Sequence, residues 1–161
     1  MCTKPVASSK LLIDGEVKTR FTEKFTQEEL NHLTTLKHCP IIFQQYIPKK
    51  FEIRGTIVGE KIFAARIDSQ DAGAGTAIDW RRYNIPKTPH YPYELPIDVS
   101  ARLIALHKSL NVHISSFDLI HTVDEEFVFL ETNPYGQWLW IEDLTGLKIS
   151  QEIAQFLTRD L

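Results

Sequence analysis

The 161 residues are 43% hydrophobic and carry a formal net charge of -3 with a pI near 6.1, which suits a packed core of one domain or two small lobes and excludes the basic stripe that duplex nucleic acid demands. Cys2 and Cys39 form neither a CxxC pair nor a framework, so a reducing, cytoplasmic compartment without structural zinc is expected. The apolar runs are strand-sized and no basic leader precedes a hydrophobic stretch, so neither a signal peptide nor a membrane span is expected.

In chain order, Leu11 to Ile13 leads into the turn signal Asp14-Gly15, and Val17 to Phe25 alternates polar and apolar residues, which predicts a first hairpin. Thr26 with Glu29 makes a capping box for a short helix that places Leu30, Leu33 and Leu36 on one face and stops before Cys39-Pro40. Ile41 to Ile47 reads as a strand. Phe51 to Val58 and Lys61 to Asp68 flank Gly59-Glu60 and predict an antiparallel hairpin. Ser69 to Thr76, with Gly73 and Gly75, and the proline-rich stretch Pro86 to Pro96 show little regular pattern, which marks a long functional or mobile loop. From Leu95-Pro96-Ile97-Asp98 onward, Val99, Leu103, Leu106 and Leu110 recur at helical spacing, with Asn111 as a left-handed terminator. Ile114 to His121 and Glu126 to Thr132 predict a second hairpin across Val123 to Glu125, and Ile149 to Leu157 a last amphipathic helix. There are no internal repeats or low-complexity tracts.

The chemistry is concentrated between Ser116 and Gly136. Asp118 lies inside the apolar run Ile-Ser-Ser-Phe-Asp-Leu-Ile, where a carboxylate is costly to bury unless it is paired or metal-bound. Glu131 and Asn133 share a strand face by the period of two. Two carboxylates and a carboxamide are hard oxygen donors that match Mg²⁺, an ion that leans on a few carboxylates together with phosphates. Glu52 and Arg54 also alternate along a strand, where pairing with cross-strand neighbours is the plainer expectation. The histidines lack HExxH or Cys/His spacing, and Gly73-Ala74-Gly75 is followed by no Gly-Lys-Ser/Thr, which leaves a flexible loop and no P-loop. Trp80, Trp138, Trp140 and Tyr135 are open to a plain core reading, which for Trp138 and Trp140 outweighs substrate contact.

Several segments together resemble the ATP-grasp superfamily: Gln-Gln-Tyr-Ile-Pro at 44–48, Glu-Ile-Arg at 52–54, Asp-Trp-Arg at 79–81, Phe-Asp-Leu-Ile at 117–120 and Glu-Thr-Asn-Pro-Tyr-Gly-Gln-Trp-Leu-Trp-Ile-Glu at 131–142. Within it the chain resembles the C-terminal ATP-binding part of the ligases that cyclise microviridin-type peptides (the graspetide synthetases), and more distantly the ribosomal-protein glutamate ligases. Gly-Gln-Trp-Leu-Trp-Ile-Glu is the specific piece; Glu-Ile-Arg alone would mean little.

The resemblance implies an α+β fold of antiparallel sheets with packed helices: a small ATP-binding lobe over 1–68 with its hinge near 44–48, and a larger metal-binding lobe over 69–161. It implies that Lys4 contacts phosphates, that Gln45 with the backbone of Tyr46 and Ile47 meets adenine, and that Glu52 takes the ribose hydroxyls. Arg81 would sit on the γ-phosphate or acyl-phosphate, Arg54 and Arg66 would add phosphate contacts, and Asp118, Glu131 and Asn133 would hold Mg²⁺. Phosphoryl transfer asks for this kind of electrostatic positioning, and a forked guanidinium can hold phosphate oxygens in pairs where a lysine cannot.

The implied activity joins Asp or Glu side chains of a ribosomally made precursor peptide to Ser, Thr or Lys through an acyl-phosphate. A leader contact near Gln27, Glu28 and Glu29 competes with the plainer role of acidic residues in a first helical turn. Family enzymes carry a further N-terminal part, and the glycine-rich loop after the early lysine is reduced here to Ala7-Ser8-Ser9. A truncated, degenerate or split enzyme is therefore expected, with a homodimer or a separate N-terminal domain as its context. A non-catalytic nucleotide- or peptide-binding module, and a structural domain whose Tyr135 to Trp140 end forms a partner surface, stand as alternatives.

Overall fold

The computed structural model describes residues 1–6, 10–29, 31, 41–71, 73–82 and 88–159. The helix expected after Thr26, with Leu30, Leu33 and Leu36, lies outside them except for its first residues, as do Cys39 and Ala7-Ser8-Ser9. The chain forms two units.

The first unit takes Met1–Pro48 and Ser69–Lys87. Strand β1 (Cys2–Pro5) is the centre of a three-stranded antiparallel sheet between β4 (Glu23–Lys24) and β5 (Ile41–Gln44). A separate hairpin joins β2 (Lys10–Ile13) to β3 (Glu16–Thr19). Its turn residues Asp14 and Gly15 have φ of 52° and 81°, and two consecutive positive φ values are what a two-residue hairpin turn with the right twist requires. The capping box is formed: Glu29 Oε2 accepts from the Thr26 N–H at 2.7 Å, and the Glu29 N–H donates to Thr26 Oγ1 at 3.3 Å. The short helix α1 (Ala74–Ile78) interrupts the segment expected to be a loop.

The second unit takes Lys49–Asp68 and Thr88–Leu161. Strands β6 (Lys49–Val58), β7 (Lys61–Ile67), β8 (His90–Tyr93), β9 (Ile114–Thr122) and β10 (Phe127–Asn133) form one antiparallel sheet in the order β10-β9-β6-β7-β8. The units thus do not divide once at 68/69: β6 and β7 pair with β9 and β8, so backbone hydrogen bonding assigns Lys49–Asp68 to the second unit.

Both faces of this sheet are used. On one, Phe51, Ile53, Ile57, Ala64, Phe117 and Leu119 pack with Leu95 and with Leu103 of helix α2 (Ile97–Ser109). On the other, Phe63 and Ala65 pack with Ile141 of α3 (Leu139–Thr145), Ile149 and Ile153 of α4 (Ile149–Leu157), Trp138 and Trp140. Ala64 and its neighbours Phe63 and Ala65 go to opposite clusters, as strand alternation dictates. Asn111, with φ 52°, ends α2 as expected.

Beyond α1 and β1, for which no regular pattern was read, two elements were not legible as such. β8 lies in the proline-rich stretch, where it takes the sheet edge, a position that tolerates Pro92. α3 lies in the aromatic run. Trp138 and Trp140 join the core, but Tyr135 is 94% exposed and is no core residue. Among the described residues no helix is long and apolar enough to cross a membrane.

Candidate functional site

Two β-bulges shape the polar part of the second unit's sheet. Along β10, Phe127, Val128 and Phe129 face His121, Ile120 and Leu119 of β9, but Glu131 then faces Asp118 and Asn133 faces Ser116, so Leu130 is an extra residue. Unbroken pairing would set Glu131 opposite Phe117, on the face packed by α2. The bulge turns it, and Asn133 with it, to the face of Asp118. On β6 the register shifts between Lys49 and Phe51; Lys50 is the extra residue, and Lys49 comes onto the face of Glu52, to which it donates an ion-paired hydrogen bond.

The result is a row of charge across three strands, with Arg54 opposite Asp118 on β9 and Asp118 opposite Glu131 on β10. Arg54 Nη1 donates to Asp118 Oδ2 at 2.8 Å, with side chains 12% and 21% exposed. Arg54 Nη2 reaches the Gln137 carbonyl at 3.4 Å, which also accepts from Trp140 Nε1 at 3.1 Å. Within the row Glu131 is exposed; beside it Asn133 is exposed, and Glu52 and Lys49 are buried.

The turn after β10 is held by its own backbone. Asn133 Oδ1 accepts from the Tyr135 N–H at 2.9 Å and the Asn133 carbonyl from the Gly136 N–H at 2.9 Å. A Cβ on Gly136 would overlap the side chain of Ser116, so the close approach of this turn to β9 depends on glycine.

Arg66 does not join the row. It lies opposite Ile53, on the α2 face, with its guanidinium 4.2 Å over the Phe51 ring and Nε donating to Asp68 at 2.5 Å.

In the first unit, Lys4 is half-buried on β1 opposite Ile42. Gln45 is exposed and its carbonyl accepts from Cys2 Sγ at 3.9 Å; Tyr46 and Ile47 are half-buried, with Lys24 Nζ 4.1 Å from the Tyr46 ring centroid. Arg81 is clamped by Asp79: Nε donates to Oδ1 and Nη2 to Oδ2, both at 2.8 Å, and the Thr22 N–H donates to Oδ2 at 3.0 Å. Burial pushes the Asp79 carboxyl upward, but the bonds from Arg81 and the Thr22 backbone outweigh it and bring the pKa down to about 2. Arg82 Nη2 donates to Glu23 at 3.0 Å. Glu28 is exposed, while the Glu29 carboxylate is committed to the capping box.

Sequence reasoning therefore missed Asp79, Lys49 and the Leu130 bulge. The Asp-x-Arg spacing at 79–81 was a usable signal for a local acid–guanidinium clamp. Nothing in the sequence marks the bulges.

Among the described residues no three His, Cys, Asp or Glu side chains lie together as a metal-ion cage. What the β9–β10 pair offers is Asp118 and Glu131 facing each other, with the Asn133 carboxamide further along the same face. That all-oxygen set fits Mg²⁺ shared with phosphates better than a dedicated protein cage.

No family model and no curated protein matches the chain. Solved structures do. An ATP-grasp ligase from Chryseobacterium gregarium associated with ribosomally made, modified peptides, solved with ADP and a leader and core peptide, is 32% identical, with a TM-score of 0.89 over 99% of this chain and 48% of that one. Macrocyclase MdnC from Microcystis aeruginosa, bound with precursor peptide MdnA, is 38% identical, with a TM-score of 0.82 over 99% of this chain and 49% of its own. At 17% identity, the ATP-grasp ligase PsnB, solved with a precursor variant, Mg and ADP, shares the fold, with a TM-score of 0.74 over 98% of this chain and 45% of that one. The chain thus spans about half the length of these structures.

Proposed function

Because this chain belongs to the ATP-grasp superfamily, we propose that it is the Mg²⁺-nucleotide-binding part of a ligase that joins a carboxylate side chain of a ribosomally made peptide to a hydroxyl or amine. The observation that carries this reading is the row Arg54–Asp118–Glu131, aligned across three strands with Asn133 on the same face.

In the proposed reaction the peptide carboxylate attacks the γ-phosphorus of ATP, ADP leaves, and an acyl-phosphate forms. A hydroxyl or amine then attacks the acyl carbon, inorganic phosphate leaves, and the nucleophile gives up its proton. Mg²⁺ would be held by Asp118, Glu131 and Asn133 and would neutralise charge on the phosphate oxygens. Arg54 fixes the Asp118 carboxylate and is itself a phosphate donor beside it. Arg81 presents a guanidinium whose orientation Asp79 sets, suited to the γ-phosphate or acyl-phosphate. Lys4 is assigned to phosphate, Gln45 and the Tyr46–Ile47 backbone to adenine, and Glu52, oriented by Lys49, to the ribose. Arg66, on the other face of the sheet, has no place in this set. ADP in the C. gregarium structure, and Mg with ADP in PsnB, support the choice of cofactors.

The relatives solved with precursor peptides support a peptide partner, to which Glu28 is assigned here as the leader-facing acid, in a proposed cytoplasmic setting. A nucleotide- or peptide-binding module without turnover is the second reading; what favours it is that both candidate phosphate-binding guanidiniums, Arg54 and Arg81, are already engaged by carboxylates.

Titration with a non-hydrolysable ATP analogue, with and without Mg²⁺, tests the site. Metal-enhanced binding that disappears in the Asp118→Asn, Glu131→Gln double variant is the expected result. A folded chain that binds no analogue refutes the nucleotide reading, and a chain that binds the analogue but forms no product from ATP and MdnA-type precursor favours the module over the enzyme.

A further inference from the structure

We infer that His107 is a positioning residue for the Mg²⁺ ligands on β10, acting through a buried network on the far side of the sheet; the inference rests on the nucleotide reading above. His107, on α2, is 1% exposed. Its Nδ1 lies 2.7 Å from the Leu103 carbonyl, which can only accept, so Nδ1 carries a proton. Its Nε2 faces two hydroxyls, Ser115 Oγ of β9 at 2.5 Å and Thr132 Oγ1 of β10 at 2.9 Å. The two hydroxyls lie 2.9 Å apart, and Thr132 Oγ1 also reaches the Ser116 carbonyl at 3.3 Å. One imidazole therefore ties a helix to both strands.

The place of this tie is what gives it a role. Thr132 stands between Glu131 and Asn133, two residues beyond the bulged Leu130. A strand that slips by one residue turns every side chain to the other face. Slippage of β10 to unbulged pairing would carry Glu131 to the α2 side and take the Thr132 hydroxyl away from His107, leaving buried polar atoms on His107 and Ser115 short of a partner. The network therefore penalises the register in which Glu131 cannot meet Asp118, and so holds the bulged register that presents both candidate ligands.

The test compares the wild-type chain with Thr132→Val, which keeps the shape and removes the hydroxyl, and with His107→Phe and His107→Gln, each checked for a cooperative thermal transition. The quantity read is the ratio of ATP-analogue affinity with Mg²⁺ to that without. Thr132 Oγ1 acts through the register, so the loss of about 1.4 kcal/mol of hydrogen bonding in Thr132→Val is expected to lower the Mg²⁺ enhancement by about ten-fold. The Mg²⁺-free affinity should hold, and His107→Gln, which can still bond the hydroxyls, should keep most of the enhancement. Thr132→Val that folds with its enhancement intact overturns the role, as does an equal loss with and without metal, which would mark general damage. Should His107→Phe not fold, Thr132→Val decides. A wild-type chain that shows no Mg²⁺ enhancement removes the ligand set itself, and the metal reading then falls together with this one.

Discussion

At the scale of single residues, the candidate site depends on side chains placed by absence as much as by presence. Gly136 lets the turn after β10 press against Ser116, and Gly55 lets β6 accept the Phe117 ring, where a Cβ would overlap it. Gly136→Ala is expected to destabilise the second unit by about 1–3 kcal/mol, the usual penalty of overpacking, and to weaken Mg²⁺-dependent analogue binding, because Asn133 anchors that turn. Denaturant titration beside the binding measurement checks both; an alanine variant of wild-type stability would show that the turn is looser than this geometry. Asp79 makes a pH-dependent prediction. Its folded pKa, about 2, lies below the ordinary 3.8, so its contribution to stability is complete above about pH 4 and is lost as pH falls through about 2. Asp79→Asn should remove the acid sensitivity that Asp79 contributes and loosen its hold on the Arg81 guanidinium, read as a flatter stability profile between pH 4 and 2. The residue types at 118, 131 and 133 were readable as an oxygen-donor set. Tyr135 stood open between core and partner surface, since aromatic character alone does not tell a core residue from one at the tip of a turn that its backbone holds outward.

At the scale of elements, local pattern sufficed for the long runs of the second unit, whereas the alternating run Val17 to Phe25 is split between β3 and β4, which lie in different sheets. The hairpin about Gly59, α2 with its Asn111 terminator, and α4 at Ile149–Leu157 lie where alternation or helical spacing sets them. α3 escaped because its seven residues make only about two turns, in which Ile141 is buried while Leu139 and Leu144 are exposed, a span too short to show a period. Its end is instead marked by Gly146, at φ 73°, whose N–H donates to the Glu142 carbonyl at 2.8 Å. The Glu142 side chain then accepts from the Ser150 N–H at 2.7 Å and from Ser150 Oγ at 2.5 Å, which fastens the first turn of α4. Gly146→Ala is expected to cost about 1 kcal/mol, since only glycine takes that conformation without strain; a thermal melt that does not move would argue against the left-handed cap. β8 was hidden by its prolines, and its place at the sheet edge, where an N–H is dispensable, explains how they are tolerated.

At the scale of the molecule, the two units differ in what acid does to them. In the second, burial lowers the pKa of His90, against weaker support from the Thr88 backbone and Asp68; burial and then the charges of Lys50 and Arg66 lower that of His121. Both folded values lie below the ordinary 6.5, so their stabilising contribution is complete above that pH and declines as pH falls below it. Probes beside His90 and His121 should therefore register loss of stability at a higher pH than probes beside Asp79, whose contribution holds until below pH 4; a single coincident acid transition would refute this ordering. A ligand that binds only the folded chain adds about 2.7 kcal/mol at a hundred times its Kd, so the melting temperature should rise with Mg²⁺-ATP analogue and fail to rise in the Asp118→Asn, Glu131→Gln variant. By itself the sequence determined the secondary-structure type of its long periodic runs, the turn at Asp14-Gly15 and the oxygen-donor chemistry of Asp118, Glu131 and Asn133, because each of these is a property of neighbouring residues. Only the tertiary structure decided that Lys49–Asp68 belongs with β8, β9 and β10, that Arg66 lies away from Arg54, and that Glu131 faces Asp118. Those outcomes depend on which strands pair and where Leu130 and Lys50 break the register, and pairing across the sheet joins residues whose separation along the chain leaves no local trace.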